Sequence, residues 1–534
     1  MKKLFLSIGF IACATLIIAQ NAPKVTAKWE TTFNKNISLY DRYLGEDESS
    51  YYFLVKIKLN KWTAGYRVEK YDKTTLKPTE SKTFEQEMKI EKVYQVGNET
   101  YAYIYDNIGI FDSPDKKTAY EFYKFNKSKM LFEKITQQFA GVKFENFGGL
   151  RLSPDQSKLL FVFREAAKKK DTDDSYQLLM VDNQLQKIWE KKTTSPTFAD
   201  ITVDNEGNLY TAYKKYSDKK NYNYILAKYS ANGSEKRFTV NMNDYLYQDC
   251  HLIASADNHL LVLGYFSHKT DNNKTGGCFF AMNDDFSKAE NITFQDIPLD
   301  ILTLHDKKKL PERYDDYEFN EPLYGENGDV VICSEVNSLK ERTHTDIRWS
   351  NNVGGSSAFQ NERLGYSTMT TKTTQSVRHY FRDVYVFKIS GNKLLYMKRV
   401  PKDQSASETN KIEGLPNISD KMSYEVFLSG DNVVLIFTDD KKNMKTNENS
   451  KEIENIFAGS AFSPLYKYGT LVSVTLDKDG KQTKQTVDIS AVRKDNLEPE
   501  ILNCVHLGNN QAIITARTEK LTLTDCKIGV ISIE

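Results

Sequence analysis

The chain of 534 residues is 12% aromatic and contains only 12 prolines, a composition that excludes general disorder. Its 73 basic and 72 acidic residues give a formal net charge of +1, which lacks the basic field that nucleic-acid binding needs. Beyond the N-terminal segment, no apolar run reaches the roughly 18 residues needed to span a bilayer. We therefore expect an ordered globular protein with no nucleic-acid partner and no transmembrane segment.

The first twenty residues have the pattern of a secretory signal peptide. Two lysines precede an apolar stretch at 4–18, and Ala-Gln at 19–20 is compatible with cleavage. Cys13 suggests a lipoprotein signal instead, but Phe10 is a poor residue three positions before it, and the apolar run continues past it. We predict a signal peptide over residues 1–20 and an exported mature protein.

A turn followed by an apolar strand recurs eight times along the rest of the chain. Each copy starts with Asp, Asn, Glu, Gly or Pro and continues into residues of high strand propensity. The first apolar residues of these strands are Tyr52, Tyr101, Leu159, Leu209, Leu260, Val330, Val433 and Ala512. The first five starts lie about 50 residues apart, close to the ~40–50 residues of a four-stranded propeller blade. The period predicts an all-β fold, a β-propeller with one blade per copy.

A second strand pattern, which ends in a turn as in YILAKYS up to Ser230, repeats with the same period. Its eighth copy, IGVISIE, stops at Glu534, so the last blade lacks a strand and exposes an edge. The stretch 24–33, KVTAKWETTF, is similar to the fourth strands of interior blades. We expect it to close the last blade, which gives a ring of eight four-stranded blades over residues 24–534. Seven blades is the alternative if 307–319 or the last copy is irregular.

Two blades carry turn motifs of known propeller families. Residues 153–159, SPDQSKL, resemble the SPDG-type turn of TolB-like propellers, and residues 203–210, VDNEGNLY, resemble the NHL type. Aromatic-rich blades, abundant Lys and Asn and the IIAQ end of the signal resemble exported proteins of the Bacteroidota. These resemblances imply the fold and no particular activity.

The cellular compartment is predicted from both ends of the chain, the first of which is the signal peptide described above. A blade strand extends to Glu534, which leaves no room for a C-terminal sorting domain of the kind used for surface secretion. We expect a periplasmic protein, with any association with the outer membrane made through a partner.

Five cysteines remain after cleavage: Cys250, Cys278, Cys333, Cys504 and Cys526. Two pairs would lie on the first and third strands of a blade, about 9.6 Å apart, beyond the ~7 Å limit for a disulfide. Their spacings match no zinc pattern. We expect buried thiols, with no metal and no cofactor.

Three long insertions interrupt the later blades, at 296–317, 336–383 and 439–468. Connections from second to third strand, and from one blade to the next, leave the same face of a propeller. All three insertions belong to these two classes, so we expect them on one face. Long loops on a rigid scaffold are where binding function concentrates.

The blade 6 insertion is the richest in residues that anchor partners. Aromatic and guanidinium side chains bury large areas or offer rigid hydrogen bonding. The candidate contact residues are His344, Arg348, Trp349, Arg363, Tyr366, His379 and Arg382. The alternative is that Trp349 and Phe359 only pin the loop to the ring.

Catalytic signals are weak, and we predict no catalytic residues. GGSSA at 354–358 lacks the final glycine and the strand–helix frame of a nucleophile elbow. DKDG at 477–480 is better explained as a strand turn than as a calcium loop. An acid–base or metal cluster is a further alternative, but no HxH or HExxH spacing supports it. Its members would be His344, His379, Asp315, Asp316 and Glu318.

The sequence thus predicts a non-catalytic exported propeller that acts as a protein-binding platform or as an accessory subunit of a cell-envelope complex. The alternatives are a propeller hydrolase or lyase that uses the central funnel, and a glycan- or peptide-binding protein. A carboxylate or histidine pair within catalytic reach in the funnel would favour the enzyme.

Overall fold

A computed structural model of the chain consists almost entirely of antiparallel β-sheet. It describes residues 23–30, 39–58, 64–84, 88–106, 120–135, 139, 146–167, 173–216, 222–230, 232–241, 244–247, 249–268, 275–298, 301, 317–351, 367–409, 422–458, 469–508, 510–517 and 526–534. The predicted signal peptide lies outside these ranges. No helix within them is long and apolar enough to cross a membrane.

The first strand of the chain, β1 (Val25–Trp29), does not belong to the sheets of the four regular blades that follow it in the sequence. Blade 1 consists of β2 (Leu39–Glu46), β3 (Ser50–Lys58), β4 (Ala64–Asp72) and β5 (Pro78–Thr83). Blade 2 consists of β6 (Met88–Val96), β7 (Glu99–Asp106), β8 (Tyr120–Asn126) and β9 (Leu131–Lys134). Blade 3 consists of β10 (Phe147–Leu152), β11 (Lys158–Glu165), β12 (Asp174–Asp182) and β13 (Lys187–Ser195). Blade 4 consists of β14 (Phe198–Val203), β15 (Leu209–Tyr216), β16 (Tyr222–Tyr229) and β17 (Glu235–Thr239).

The later blades are less regular. The first strand of blade 5 is divided into β18 (Tyr245–Tyr247) and β19 (His251–Ala254). The other strands of this blade are β20 (Leu260–His268), β21 (Thr275–Met282) and β22 (Ala289–Asp296). Blade 6 is built from β23 (Tyr317–Phe319), β24 (Leu323–Tyr324), β25 (Val330–Asn351), β26 (Ser367–Ser390), β27 (Lys393–Val400) and an added strand, β28 (Gln404–Thr409).

Blade 7 follows with β29 (Glu425–Ser429), β30 (Asn432–Asp440), β32 (Gly469–Leu476) and β33 (Gln482–Thr486). The connection between β30 and β32 contains a 3-10 helix (Lys441–Lys445) and a short strand, β31 (Ile456–Ala458), which joins the blade 6 sheet. A helical turn, α1 (Ser490–Arg493), leads into β34 (Glu498–Gly508), β35 (Gln511–Arg517) and β36 (Cys526–Ile533) of blade 8.

The described strands form eight sheets, and the second strand of each contains one of the eight predicted strand starts. The predicted eight-bladed propeller is confirmed, and the seven-bladed alternative is wrong. The local signals were sufficient because each blade repeats the same turn and strand chemistry.

Burial follows the position of a strand within its blade. All eight residues of β21 are buried, whereas all six residues of β5, a fourth strand, are exposed. The core lies between blades: Tyr210 and Leu226 of blade 4 belong to one buried cluster with Val262 and Phe280 of blade 5. First strands of neighbouring blades contact each other at several places, as β10 does with β14 and β14 with β19, so the first strands lie nearest the propeller axis.

The two ends of the chain close the ring. β1 pairs with β36 in antiparallel register from Val25 opposite Ile533 to Trp29 opposite Gly529. Lys24 and Glu534 exchange two backbone hydrogen bonds of 2.9 Å each. The predicted closure is confirmed, over a strand shorter than the expected 24–33.

Trp29 should contribute most to this closure. A Cβ atom at Gly529 would lie 2.5 Å from the Trp29 ring, so the indole packs directly on the glycine backbone. We expect Trp29→Ala to lower the free energy of unfolding by about 3–5 kcal/mol in urea denaturation. Ile188→Ala is the control, since Ile188 is 41% exposed on the fourth strand of blade 3 and its loss should change stability by less than about 0.5 kcal/mol. Equal effects of the two substitutions would contradict this role.

Glu30, just after β1, should make closure depend on pH. Burial raises the pKa of Glu30 from its ordinary 4.5 to about 8, although the Ile528 amide and Lys527 oppose the shift. A raised folded-state pKa means that stability is full below pH 4.5 and is lost as pH rises through 8. Glu30→Gln should therefore gain melting temperature over the wild type progressively between pH 5 and 9. Glu452→Gln on the surface is the control; a pH-independent difference for Glu30→Gln would refute the assignment.

Candidate functional site

The insertion inside blade 6 is a long β-hairpin, where the sequence suggested a loop. β25 and β26 stay paired beyond the blade, from Asn337 opposite Phe381 to Asn351 opposite Ser367. A register shift between Glu335 and Asn337 marks the point where the hairpin leaves the blade. The Thr-rich, charged stretch looked polar enough for a loop, yet β-branched threonine also favours strands. Residues 337–351 and 367–381 are called the arm below.

The structure shows the backbone positions of five of the seven predicted contact residues: His344, Arg348, Trp349, His379 and Arg382. The other two, Arg363 and Tyr366, lie outside the described residues. On the backbone, His344 pairs with Thr374 and Arg348 pairs with Thr370. Trp349 pairs with Met369, and His379 pairs with Leu339 nearer the blade.

His379 and Arg382 belong to the base of the arm. The His379 ring lies 6.4 Å from the Phe381 ring, with the planes nearly parallel. The Arg382 guanidinium stacks 4.9 Å from the centre of the Tyr380 ring, and its Nε lies 4.0 Å from a carboxylate oxygen of Asp403. Both side chains therefore have neighbours within the protein.

Two further strands extend the blade 6 sheet at the base of the arm. β28 pairs with β26 from Phe381 opposite Gln404 to Ser376 opposite Thr409. β31, which comes from the 439–468 insertion of blade 7, runs parallel to β28. The insertions of blades 6 and 7 thus meet in one sheet. Sequence reasoning missed both strands because β28 is polar, β31 has only three residues, and neither has a turn pattern of its own.

A buried ion pair lies at the start of β28. Lys402 Nζ contacts Glu335 Oε1, and the two side chains are 0% and 3% exposed. Lys402 also donates to Gln404 Oε1 at 2.9 Å, and Ser423 Oγ donates to Glu335 Oε2 at 2.6 Å. Gln404 Nε2 donates to the Thr438 carbonyl at 2.7 Å. Burial raises the pKa of Glu335 and lowers that of Lys402, and the contact between them opposes both shifts.

A second buried pair joins blade 6 to the blade 7 insertion. Arg399 holds Asp383 with two parallel hydrogen bonds, Nε to Oδ2 at 2.7 Å and Nη2 to Oδ1 at 3.0 Å. Its remaining Nη1 donates to the carbonyls of Glu448 and Ser450 at 3.1 and 2.9 Å. A bidentate guanidinium–carboxylate pair is a directional contact, so it defines how the insertion sits on the blade.

A third polar group holds the insertion folded. Asn443 of the 3-10 helix donates to Asp439 Oδ1 at 2.7 Å and exchanges bonds of 2.9 Å with the backbone of Glu454. Lys484 Nζ lies 3.7 Å from Asp439 Oδ2, and both side chains are nearly inaccessible to water. Burial raises the pKa of Asp439 and lowers that of Lys484.

Two acid–histidine pairs join the first strands of neighbouring blades around the axis. Asp200 Oδ2 lies 2.8 Å from His251 Nδ1, between blades 4 and 5. Glu425 Oε1 lies 2.6 Å from His506 Nε2, between blades 7 and 8. Burial alone would lower the pKa of each histidine, but the carboxylates raise both values above the ordinary one.

The second nitrogen of each imidazole is not presented to a substrate. His251 Nε2 is buried, and the ring stacks on Phe319 with centroids 5.1 Å apart. His506 Nδ1 lies 3.4 Å from the Gly508 carbonyl oxygen. The geometry suits contacts between blades better than general base catalysis, which needs a nitrogen within reach of the substrate proton.

The remaining candidates do not form a described metal or acid–base cluster. Glu318 Oε2 accepts a hydrogen bond of 2.9 Å from Asn337 at the start of the arm. Asp315, Asp316 and the 354–358 stretch lie outside the described residues. Within the described part of the chain, no group of three or more His, Cys, Asp or Glu side chains is placed to hold a metal ion.

The five cysteines are all described, and none forms a disulfide. Four are buried and Cys504 is half-buried. Burial raises the pKa of each thiol, as in Cys333 between blades 6 and 7, so these thiols are poor nucleophiles.

No protein-family model and no curated protein matches the chain. Among solved structures, it is similar to the β-propeller domain of the Trilobed protease from Pyrococcus furiosus, at 9% identity and a TM-score of 0.35, over 83% of this chain and 96% of that one. It is also similar to an acylaminoacyl peptidase from Pyrococcus horikoshii, at 9% identity and a TM-score of 0.35, over 92% of this chain and 59% of that one. A protein of unknown function from Dyadobacter fermentans is 9% identical over 72% of this chain and 94% of its own, with a TM-score of 0.25. The likeness is to the propeller fold alone and carries no activity over.

The buried pair under the arm can be tested by a double-mutant cycle. Lys402→Met leaves Glu335 buried without its cation and should cost about 3–5 kcal/mol of unfolding free energy in urea. Combining it with Glu335→Gln should cost less than the sum of the single changes. The control cycle uses Lys129 and Glu133, an exposed pair 2.8 Å apart whose coupling should stay under about 1 kcal/mol. Additive costs at Lys402 and Glu335 would show that the pair is not coupled.

Proposed function

We propose that the protein is an exported, non-catalytic propeller of the periplasm that binds another protein of the cell envelope through the arm. The observation that carries this proposal is how the arm is built. It is a continuous two-stranded ribbon whose base is joined to two blades by a shared sheet and by buried ion pairs.

An isolated two-stranded hairpin is only marginally stable in water. Here β28 and β31 extend the sheet at the base, and Phe381, Ala406 and Ile456 of its strands form a buried apolar cluster with Met422. The anchored base lowers the conformational entropy that the arm loses when it binds, and this preorganisation favours affinity.

The buried polar groups also support a role in positioning. Burying charged groups costs several kcal/mol each in desolvation, so an apolar base would be at least as stable. Directional contacts such as Arg399 with Asp383 instead select one orientation of the insertions on the ring. A binding element needs such a defined orientation to present its residues in a constant geometry.

The enzyme alternative depends on the axial pairs Asp200–His251 and Glu425–His506, the described groups that come closest to a catalytic arrangement. The second nitrogen of each imidazole is buried or faces a backbone carbonyl. We therefore favour binding over catalysis.

Deleting Arg342 to Thr374 tests the proposal directly. The deletion joins Glu341 to Gln375, and since Glu341 pairs with Val377, Gln375 and Ser376 become a two-residue hairpin turn. Gln375→Asn and Ser376→Gly supply the turn residues that such a hairpin favours. We expect an unchanged thermal unfolding transition of the ring and loss of the envelope protein captured by the tagged mature chain.

The matched control carries Lys187→Glu and Lys192→Glu on the exposed fourth strand of blade 3 and should capture the partner normally. Capture that survives the arm deletion in a folded ring would refute the proposed function.

A further inference from the structure

We propose that the axial side of the ring contains a second binding site, formed by Lys92 of blade 2 and Arg151 of blade 3, for a small ligand that carries a carboxylate or phosphate group. The site is separate from the arm, and it does not depend on the function proposed above.

The inner strands of four successive blades are bulged. A register shift interrupts the first strand of each of blades 1 to 4, between Tyr40 and Arg42, Ile90 and Lys92, Phe147 and Gly149, and Phe198 and Asp200. A bulge changes the direction in which a strand presents its side chains. Because first strands lie nearest the axis, the residues that follow these shifts are placed around it.

The acidic and basic groups near the axis differ in their partners. Asp200 contacts His251 and Glu425 contacts His506, so these carboxylates already have a partner. Lys92 Nζ lies 5.3 Å from the centre of an uncharged ring, and the Arg151 guanidinium donates to a backbone carbonyl. Neither cation forms an ion pair with another residue that the structure describes.

The guanidinium of Arg151 reaches the edge of β10 that faces the axis. β10 pairs with β11 on its other edge, where the Ser153 amide donates to the Lys158 carbonyl. Hydrogen-bonded pairs alternate along an antiparallel ladder, so Arg151 opposite Leu160 is the next such pair. The N–H and C=O groups of Leu150 therefore point away from β11, and this carbonyl accepts a 3.2 Å bond from Arg151 Nη1.

A glycine lies directly beside this guanidinium. Gly149 follows the bulge of β10, as Arg42 and Lys92 follow those of blades 1 and 2. A Cβ atom at Gly149 would lie 3.5 Å from Arg151 Nη1. The side chain of Arg151 thus supplies blade 3 with a cation at the position where the two preceding blades carry one in the strand itself.

Tyr94 connects the two cations. Its ring lies 5.3 Å from Lys92 Nζ. Burial raises the pKa of Tyr94 to about 12, and Arg151, Arg42 and the backbone of Leu150 oppose the rise, so both guanidinium groups lie near the hydroxyl. A phenol with such a pKa stays protonated at neutral pH and is a hydrogen-bond donor.

The chemistry of these groups selects the ligand. The planar guanidinium of Arg151 fits the paired oxygens of a carboxylate or a phosphate, and the Lys92 ammonium adds a compact positive charge. Asp200 and Asp249 lie further round the same inner ring, on blades 4 and 5. Their charge opposes a long polyanion that would extend across the axis, so a small anion fits best.

Isothermal titration of the intact mature protein with inorganic phosphate and with citrate, at constant ionic strength in sodium chloride, tests the site. We expect saturable binding of at least one of the two anions at one site, with a dissociation constant of about 1 mM or tighter. The anion that binds more tightly shows whether phosphate or carboxylate is preferred. Absence of saturable binding for both would overturn the proposal.

Variants locate the site. Lys92→Gln with Arg151→Gln should weaken binding at least about tenfold, because two charge-assisted contacts are lost. Arg151→Lys keeps the charge and removes only the planar fork, so it should weaken binding less and serves as the test if the double variant does not fold. Unchanged affinity in a folded double variant would refute the assignment.

The matched control is Lys187→Gln with Lys192→Gln, which removes the same charge from the exposed fourth strand of blade 3 and should leave binding unchanged. Equal losses in the two double variants would show attraction by overall charge and overturn the site. Deleting the arm should leave anion binding intact, and loss of binding in that deletion would overturn the axial placement. Failure of the arm to capture a partner leaves this site untouched.

Discussion

The antiparallel pairing of β1 with β36 is the constraint on which the rest of the structure depends. Each blade buries its apolar faces only against its two neighbours, so a ring is stable once the first and last blades also meet. Here the contact is made by backbone hydrogen bonds between Lys24 and Glu534 and by Trp29 packed on Gly529. Joining both ends of the chain in one sheet also couples opening of the last blade to loss of the N-terminal strand, which raises the cooperativity of unfolding.

Blades 6 and 7 depart from this regular plan, and their departures are linked. The hairpin that leaves blade 6 is widened by β31 of blade 7, while Arg399 of blade 6 holds the backbone of the blade 7 insertion. Glu335 and Lys402 lie between them in surroundings that exclude water. Desolvated charges stabilise a fold poorly but penalise any arrangement that separates them. They are thus suited to defining the direction of the arm.

Around the axis, Asp200 with His251 and Glu425 with His506 connect neighbouring first strands. The arm, by contrast, is a paired ribbon with five basic and two acidic residues in a chain that is almost neutral. An anchored ribbon of this kind suits the binding role that we propose.

The sequence by itself determined the number of blades, the position of each second strand and the strand that closes the ring. These features follow from turn residues and strand propensities that act locally and repeat along the chain, as at Leu209 and Val330. It also pointed to the insertion that contains Arg348 and Trp349, although two predicted contact residues, Arg363 and Tyr366, lie outside the described structure. Only the tertiary structure decided that this insertion is a paired arm, that β28 and β31 support it, and that Lys402 meets Glu335. Such contacts join segments far apart in the chain, and the partner of a buried polar group depends on how the blades pack, which no local pattern records.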